Sequence, residues 1–229
     1  MRDQSVSIIN TIHRSAVFGK IIHSLNYCIQ KEMHNCGTVL DLGCGPSSPL
    51  QYCSNVIHSV GVEAFGPYLE ESQKKRIHNE YLHKSVQELD FKENSFDAVI
   101  CIELLEHLSK EDGLELLRKA EHWGKKKLVV TTPNGFVAQK VVDNNPFQEH
   151  LSGWDHNRMK ALGFNVRGLA GLKYLRQEVQ GETMGDDLTA SISLWPKTFW
   201  LGVAALSQLV TYYIPQLAFE LICVKTLKK

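Results

Sequence analysis

The sequence alternates between runs rich in valine and isoleucine and segments with helical spacing of apolar residues, and this rhythm constrains the fold more than any other feature. Seven runs have the length and composition of strands: TVLDL, VIHSVGV, EYLHKS, FDAVICI, KKLVVTT, FNVRGLA and LAFELICVK. Strands that take turns with helices predict an open, mostly parallel sheet with helices on both faces. Ligands of such sheets bind at the carboxyl ends of the strands.

Helical signals fill the intervals between these runs. Pro67 stands where a helix can begin, and Ser109 with Asp112 resembles the capping box of another helix. The chain of 229 residues is long enough for one α/β domain of this kind. The spacing of apolar side chains in residues 15–32 predicts one amphipathic helix ahead of the first strand. These side chains are Val17, Phe18, Ile21, Ile22, Leu25 and Ile29.

Charge and cysteine content narrow the class of protein. The 25 basic residues balance the 25 acidic ones and 43% of residues are apolar, so neither disorder nor a broad nucleic-acid surface is expected. The six cysteines form no CxxC pair and no zinc-like spacing, which predicts reduced thiols. The start, MRDQSVSIIN, lacks the features of a secretion signal. We therefore expect a cytoplasmic protein.

The regular rhythm fails between residues 170 and 215, which we interpret as an insertion near the substrate site. Its aromatic residues either line a pocket for an apolar or planar substrate or only pack the insertion down; they are Tyr174, Trp195, Phe199 and Trp200. Residues 198–219 carry no charge and approach the length of a membrane span. Because Pro215 and several polar residues interrupt this stretch, we expect a buried helix followed by a core strand. Membrane contact through 198–219 is the less favoured alternative.

The first strand runs into a glycine loop, TVLDLGCGPSSPLQ, which resembles a nucleotide-binding turn. Gly43 and Gly45 fit a dinucleotide fingerprint, but Ser48 replaces its last glycine. Glu63, about 20 residues later, can accept hydrogen bonds from ribose hydroxyls. Asp41 would repel a phosphate and attract an ammonium or sulfonium, so the loop favours an adenosine joined to a cationic group.

At these residues the sequence resembles the class I S-adenosylmethionine-dependent methyltransferases. VLDLGCG matches their first motif, VGVE their second, and FDAVICIELLEHL the strand and helix start of their fourth. The resemblance covers residues 36–170 and implies a Rossmann-like three-layer α/β/α sandwich with a seven-stranded, mostly parallel sheet whose last strand is antiparallel. We expect a single domain made of an N-terminal helical cap (1–35), a cofactor-binding core (36–170), the insertion (170–215) and the last strand (216–229).

The resemblance also implies roles for individual residues. Asp41 would orient the loop and meet the methionine ammonium directly or through water, while Glu63 would bind both ribose hydroxyls. Either Ala64 or Phe65 would lie beside the adenine, and Ile102 would contribute backbone. Ser47 replaces the third glycine of the family motif. The full set of positions expected to contact the cofactor is Asp41, Gly43, Cys44, Gly45, Glu63, Ala64, Ser85, Val86 and Ile102.

Catalytic side chains are expected in the segment ELLEH and downstream of the fifth strand. Glu103, Glu106 and His107 would share one face of a helix, and His150 could return to the same rim. This pattern resembles metal-assisted O-methyltransferases, including those of ubiquinone biosynthesis and those that methylate a terminal RNA ribose. There Mg²⁺ or Mn²⁺ lowers the pKa of a bound hydroxyl.

Two interpretations of this cluster remain open. In the first, Glu103, Glu106, His107 and His150 are candidate ligands of a divalent ion. In the second, no metal is used and His107 or His150 acts as the base, since an imidazole titrates near neutral pH. Asp155 and His156 are expected to cap the helix HNRMKAL.

The sequence therefore predicts an S-adenosylmethionine-dependent methyltransferase (EC 2.1.1.-) that acts on a small-molecule acceptor, at oxygen. A long nucleic acid is not expected as a partner, although one RNA end held through a metal needs no broad basic surface. Two rival classes share parts of the pattern. One is a nicotinamide-dependent oxidoreductase and the other is a catalytically silent module that binds the cofactor.

Overall fold

The computed structural model describes residues 16–139, 141, 143–177 and 191–227. The predictions made for residues 1–15 and for 178–190 within the insertion lie outside the described residues, as does the side chain of Val17.

Within the described residues, seven strands form one sheet, and each falls on one of the seven predicted runs. Their order across the sheet is β3-β2-β1-β4-β5-β7-β6. All are parallel except β7, which is antiparallel to both of its neighbours. The predicted Rossmann-like architecture is confirmed. The strands are β1 Thr38–Leu42, β2 His58–Glu63, β3 Glu80–His83, β4 Phe96–Ile102, β5 Gly124–Pro133, β6 Asn165–Leu172 and β7 Ala218–Thr226.

The strand order creates a crevice at one point of the sheet. After β1 the chain builds β2 and β3 on one side and then crosses to β4 on the other, so that β1 has β2 and β4 as neighbours. Loops that leave β1 and β4 therefore diverge at their carboxyl ends. Such a switch point is where open α/β sheets bind ligands.

The central strands are buried on both faces, as their apolar runs predict. In β4, Val99 and Cys101 pack into one apolar cluster, and Ala98 and Ile100 pack into the other. This division follows from the two-residue repeat of a strand, which sends successive side chains to opposite faces. The sheet thus forms the middle of three layers.

Six helices flank the sheet in the described part of the chain. Pro67 lies in the first turn of α3, and the Ser109 hydroxyl caps α4 by accepting a hydrogen bond from the Asp112 N–H (3.1 Å), so both predicted starts are confirmed. Asp155 caps α5, as expected. The helices are α1 Ala16–Ile22, α2 Leu25–Met33, α3 Gly66–Lys75, α4 Lys110–Trp123, α5 His156–Ala161 and α6 Lys197–Thr211.

The first helical segment differs from the single helix predicted over residues 15–32. His23 adopts a left-handed conformation (φ 54°), and Ser24 then caps a new helix by accepting a hydrogen bond from the Tyr27 N–H. The His23 ring stacks on Tyr212 with ring centroids 4.0 Å apart. A cap residue and a long-range ring contact therefore break a pattern whose apolar spacing is continuous.

The uncharged stretch forms helix α6 and then β7, in the order predicted. Only one side of α6 is buried, because Leu201 and Ala204 pack inward while Phe199, Leu206 and Val210 are exposed. No helix in the described ranges has the length and apolar character needed to cross a membrane. The helix follows β6 in the chain and packs against it.

Candidate functional site

A cavity of about 720 Å³ opens at the carboxyl ends of β1, β2, β4 and β5. The strand topology explains its position, because the loops that follow these strands diverge there. All residues that the sequence singled out for cofactor, metal or base line this cavity: Asp41, Gly43, Cys44, Gly45, Glu63, Ala64, Ser85, Val86, Ile102, Glu103, Glu106, His107 and His150.

The glycine loop requires both of its glycines. Gly43 has φ 66°, and a Cβ there would lie 2.8 Å from Leu104 Cδ1. Gly45 has φ 54° and faces open space, since an added Cβ would meet nothing within 4 Å. Left-handed backbone favours glycine, and the open side lets a ligand approach the main chain. The loop is thus shaped to present backbone to a ligand.

Glu63 ties the end of β2 to this loop. Its Oε2 accepts a hydrogen bond from the Gly45 N–H (3.0 Å), and its Oε1 accepts one from the Phe65 N–H (2.8 Å). Burial raises the pKa of Glu63, while these N–H donors oppose the rise. Each carboxylate oxygen accepts more than one hydrogen bond, so both keep capacity for two ribose hydroxyls.

Asp41 lies beneath the loop and is 1% exposed. Its Oδ2 accepts a hydrogen bond from the Ser48 hydroxyl and is 3.5 Å from His78 Nε2. Burial raises the pKa of Asp41 to about 7, because the charged form is poorly solvated there. In this position Asp41 supports the loop through Ser48 and supplies a charge that a bound cation would stabilise.

The wall beside β2 and β3 contains residues that the sequence pointed to and others that it missed. Ala64 lines the cavity, whereas the Phe65 ring packs edge-to-face on Tyr68 with centroids 5.1 Å apart. Tyr68 was not predicted; it lines the cavity and donates a hydrogen bond to Asp143 Oδ2 (2.6 Å). This contact joins α3 to the loop that follows β5, and neither residue carries a motif that could have revealed it.

A second group of side chains occupies the wall beyond β4. Glu103 adopts a left-handed conformation (φ 48°) and accepts a hydrogen bond from the Thr131 hydroxyl (2.7 Å). Glu106 is 2% exposed, and neither of its carboxyl oxygens has a hydrogen-bond partner among the described residues. Burial, reinforced by the charge of Glu103, raises the pKa of Glu106 well above its ordinary value. A buried carboxylate without donors calls for a proton or a cation.

The two predicted histidines are neighbours. The rings of His107 and His150 lie edge-to-face with centroids 4.7 Å apart. Nδ1 of His107 is 3.2 Å from the Glu149 carbonyl, and Nδ1 of His150 is 2.6 Å from the Val137 carbonyl. Because a carbonyl oxygen only accepts hydrogen bonds, each Nδ1 is the donor, and Nε2 is the ring nitrogen with a lone pair for a proton or an ion. Burial and the neighbouring His150 lower the pKa of His107 to about 4, and burial lowers that of His150.

The loop after β5 reaches His107 because it is fastened to the segment after β4. The Leu151 and Ser152 N–H groups donate to the Glu106 carbonyl (2.7 and 3.0 Å). The Ser152 hydroxyl and Trp154 Nε1 donate to the Leu105 carbonyl (3.1 and 3.2 Å). These four bonds hold His150 against His107.

Three of the four candidate metal ligands form a compact group. One donor atom from each of Glu106, His107 and His150 lies within 4.8 Å of the others. Glu103 stands outside this group and bonds to Thr131 instead. Sequence analysis missed a third carboxylate, Glu220 on β7, whose pKa burial and Glu103 raise together.

The insertion contributes Gln177 and Ser191 to the cavity. Its aromatic residues, Tyr174, Trp195, Phe199 and Trp200, are not among the residues that line this cavity. Three of the four are exposed, with Trp195 81% exposed. Phe199 and Trp200 lie on α6, which packs along β6.

Comparison with known proteins agrees with this geometry. Residues 40–127 match a family model described as a methyltransferase domain. No match to a curated protein sequence was found.

Among solved structures, the fold is similar to the PH0226 protein from Pyrococcus horikoshii OT3 (TM-score 0.54, 16% identity, 94% of this chain and 93% of that one). It is also similar to a SAM-dependent methyltransferase from Archaeoglobus fulgidus (TM-score 0.51, 16% identity, 92% and 98%). A third similar structure is the methyltransferase domain of bacterial CtHen1-CN (TM-score 0.51, 19% identity, 93% and 98%). At these identities the likeness concerns the fold.

Proposed function

We propose that this chain is a class I S-adenosylmethionine-dependent methyltransferase that transfers the methyl group to an oxygen of a small-molecule acceptor. The observation that carries the proposal is the pair His107 and His150. Both line the cavity that also contains Glu63 and the glycine loop, and in both Nδ1 is the nitrogen that faces a backbone carbonyl. A proton acceptor thus lies in the same cavity as the cofactor residues.

The residues of the cavity fit the cofactor. S-adenosylmethionine supplies a methyl group on a sulfonium, which is transferred by in-line displacement. Glu63 accepts the ribose hydroxyls, and the open side of Gly45 admits the methionine part of the cofactor to the backbone. Asp41 supplies the negative charge that a cationic cofactor requires. The cofactor is thus held by chain elements that β1 and β2 position.

The size and lining of the cavity support a small acceptor. Its volume of about 720 Å³ falls in the range of small-molecule sites, and the cofactor occupies part of it. Pro133, Val137 and Phe219 supply apolar wall near the histidines. The formal net charge of zero offers no broad attraction for long nucleic acid.

All six cysteines are free and buried, which supports a reducing compartment such as the cytoplasm.

We assign the base to His150. The pKa of His107 is about 4, so its imidazole is a weak proton acceptor at neutral pH. The Val137 carbonyl accepts a hydrogen bond from His150 Nδ1 and stabilises the imidazolium that forms when Nε2 takes the proton. His107 then packs against that ring and fixes its orientation.

Transfer of an isotopically labelled methyl group tests this proposal. The wild-type protein, His107→Gln and His150→Gln would be incubated with labelled cofactor and a panel of phenols, catechols and other hydroxyl compounds. Labelled product from the wild-type protein and a loss in His150→Gln, with S-adenosylhomocysteine binding retained, would support it. Label on nitrogen or carbon, or no product from any acceptor while the cofactor binds, would contradict it and favour a silent module.

A second candidate function has its own observation, the group formed by Glu106, His107 and His150. One donor atom from each lies within 4.8 Å of the others, and neither oxygen of Glu106 has a hydrogen-bond partner among the described residues. A carboxylate with two imidazoles suits a divalent transition metal such as Mn²⁺ better than Mg²⁺, and carbonyls that orient both Nδ1 atoms resemble the outer partners of metal-bound histidine. In this second function an ion binds two adjacent hydroxyls of the acceptor and lowers the pKa of one of them. The two hydroxyls of a terminal RNA ribose are one such acceptor.

Chelation separates the two candidates. Full activity in excess chelator would end the metal proposal and leave His150 as the base. Loss of activity that Mn²⁺ or Mg²⁺ restores would support the ion, provided that S-adenosylhomocysteine still binds in the chelator. Calorimetry with NAD(H) addresses the oxidoreductase alternative, which the methyltransferase-domain match disfavours.

A further inference from the structure

A buried histidine lies directly beneath the cofactor loop. His78, in the connection between α3 and β3, places Nε2 3.5 Å from Asp41 Oδ2, and the two side chains are 0% and 1% exposed. The imidazole crosses β2 at Gly61, the residue paired with Asp41 in the sheet. A Cβ at Gly61 would lie 2.5 Å from His78 Cδ2, so the glycine makes room for the ring.

The orientation of this ring is fixed from several sides. The backbone N–H of His78 donates to the Tyr81 hydroxyl (3.0 Å). That hydroxyl itself donates to the Ser72 carbonyl (2.8 Å). The ring packs edge-to-face on Tyr81, and Nδ1 is 3.2 Å from Ser59 Oγ. Within the described ranges Nε2 makes no hydrogen bond of its own. Its contact with Asp41 Oδ2, at 3.5 Å, is longer than an ordinary hydrogen bond and places the ring nitrogen beside the carboxylate.

The Ser59 hydroxyl has two possible acceptors, and its choice between them sets which nitrogen of His78 carries the proton. Its hydroxyl is 3.2 Å from His78 Nδ1 and 3.5 Å from the alternative acceptor, Asn79 Oδ1. When the hydroxyl donates across the shorter contact, Nδ1 is the acceptor and Nε2 carries the hydrogen. Nε2–H and the Ser48 hydroxyl then converge on the same carboxylate.

Charge in this region matches a cationic ligand. Burial lowers the pKa of His78 to about 4, so the imidazole is neutral near pH 7, and burial raises that of Asp41 to about 7. The other titratable groups that act on Asp41 or feel its charge are Glu63 and the thiols of Cys44, Cys53 and Cys101. The thiols are neutral, so neutral His78 and ionised Asp41 together carry one negative charge. A bound ammonium or sulfonium compensates that charge.

We propose that His78 is a positioning residue for the cofactor: its Nε2–H and the Ser48 hydroxyl together hold the Asp41 carboxylate in the ionised form that receives the cationic methionine part. The proposal rests on the proposed function only for the identity of the cofactor. It concerns cofactor affinity and assigns His78 no part in proton removal from the acceptor.

Calorimetry with S-adenosylhomocysteine and S-adenosylmethionine tests the proposal in three variants. His78→Phe keeps a ring without a donor, and it should weaken binding about tenfold, because the buried Asp41 carboxylate loses a polar neighbour. His78→Gln places a donor near the Nε2 position and should stay within about threefold of wild type. His58→Phe, on the exposed end of β2, is the matched control and should bind as wild type does.

Two further readouts separate positioning from loss of structure. Wild-type affinity should rise as pH increases through about 7, where Asp41 ionises, and the rise should move to higher pH in His78→Phe. The KM for the cofactor should increase in that variant by more than kcat falls. Equal affinity and equal pH dependence in wild type and folded His78→Phe would overturn the proposal.

A measurement on the wild-type protein covers the case in which His78→Phe fails to fold. Long-range ¹H–¹⁵N spectra distinguish a protonated Nε2 from a protonated Nδ1. The proposal requires the Nε2–H form, with its resonances shifting when S-adenosylhomocysteine is added. An Nδ1–H form with a bare Nε2 would contradict it. A protein that binds neither cofactor would instead contradict the proposed function.

Discussion

Nδ1 of His107 and Nδ1 of His150 each face a backbone carbonyl, while their rings lie 4.7 Å apart at the end of β4. The two carbonyls orient both imidazoles in the same way, with Nδ1 against the main chain. It depends on main-chain carbonyls at Glu149 and Val137, so the loop after β5 both supplies His150 and orients its partner.

Removing the charge of Glu63 should weaken cofactor binding. Glu63→Gln loses a charged acceptor for the ribose and for the Gly45 N–H, so the Kd of S-adenosylhomocysteine should rise by about tenfold or more. Calorimetry measures this directly. Glu70→Gln, an exposed glutamate on α3, is the control and should leave the Kd unchanged. Unchanged affinity in Glu63→Gln would remove Glu63 from the cofactor site.

Glu106→Gln should stabilise the protein while reducing its activity. The pKa of Glu106 in the folded protein is raised, so its contribution to stability is present below the unfolded pKa and is lost as pH rises. In chelator at pH 8, Glu106→Gln should therefore gain about 1–3 kcal/mol in unfolding free energy, and the gain should vanish near pH 4.

Denaturant unfolding at pH 4 and pH 8 measures that difference, with the exposed Glu111→Gln on α4 as control. Methyl transfer by Glu106→Gln should fall because a residue of the His107 and His150 group is lost. A variant less stable than wild type at pH 8 would show that Glu106 has donors that the described contacts lack.

Two glycines inside helices should respond in opposite directions to alanine. At Gly113 in α4, a Cβ would lie 2.6 Å from Trp154 Cζ2, so Gly113→Ala should cost about 1–3 kcal/mol. At Gly202 in α6, no atom lies within 4 Å of the added Cβ, so Gly202→Ala should gain about 0.5–1 kcal/mol. Denaturant unfolding of both variants provides the test.

Gly113→Ala should also lower kcat, because Trp154 helps to hold the loop that carries His150. Gly202→Ala should leave kcat unchanged. Stabilisation by Gly113→Ala would mean that Trp154 is free to move and that the loop is less tightly fastened than its hydrogen bonds indicate.

The sequence predicted the parts of the molecule that local patterns determine. The two-residue repeat in runs such as FDAVICI identifies strands, and the left-handed turns at Gly43 and Gly45 need glycine, so both leave a readable signal. Glu63 was found because its distance from the loop is set by one strand and one short crossover, which contains the 3-10 helix Pro49–Tyr52.

What the sequence did not predict depends on contacts between distant segments. Glu220 joins Glu103 only because β7 inserts next to β5, and the Tyr68–Asp143 bond joins residues 75 positions apart. The break at His23 depends on stacking against Tyr212. The positions of Phe199 and Trp200 outside the cavity were likewise not predictable, because composition does not state which way a helix packs.

A crystal structure with S-adenosylhomocysteine would test the central claim most directly. The account predicts that the ribose hydroxyls lie on Glu63, that the methionine part lies over Gly43 and Gly45 above Asp41, and that the sulfur faces the His107 and His150 pair across the space left for an acceptor. A ligand bound elsewhere, or a sulfur directed away from the two histidines, would contradict the account.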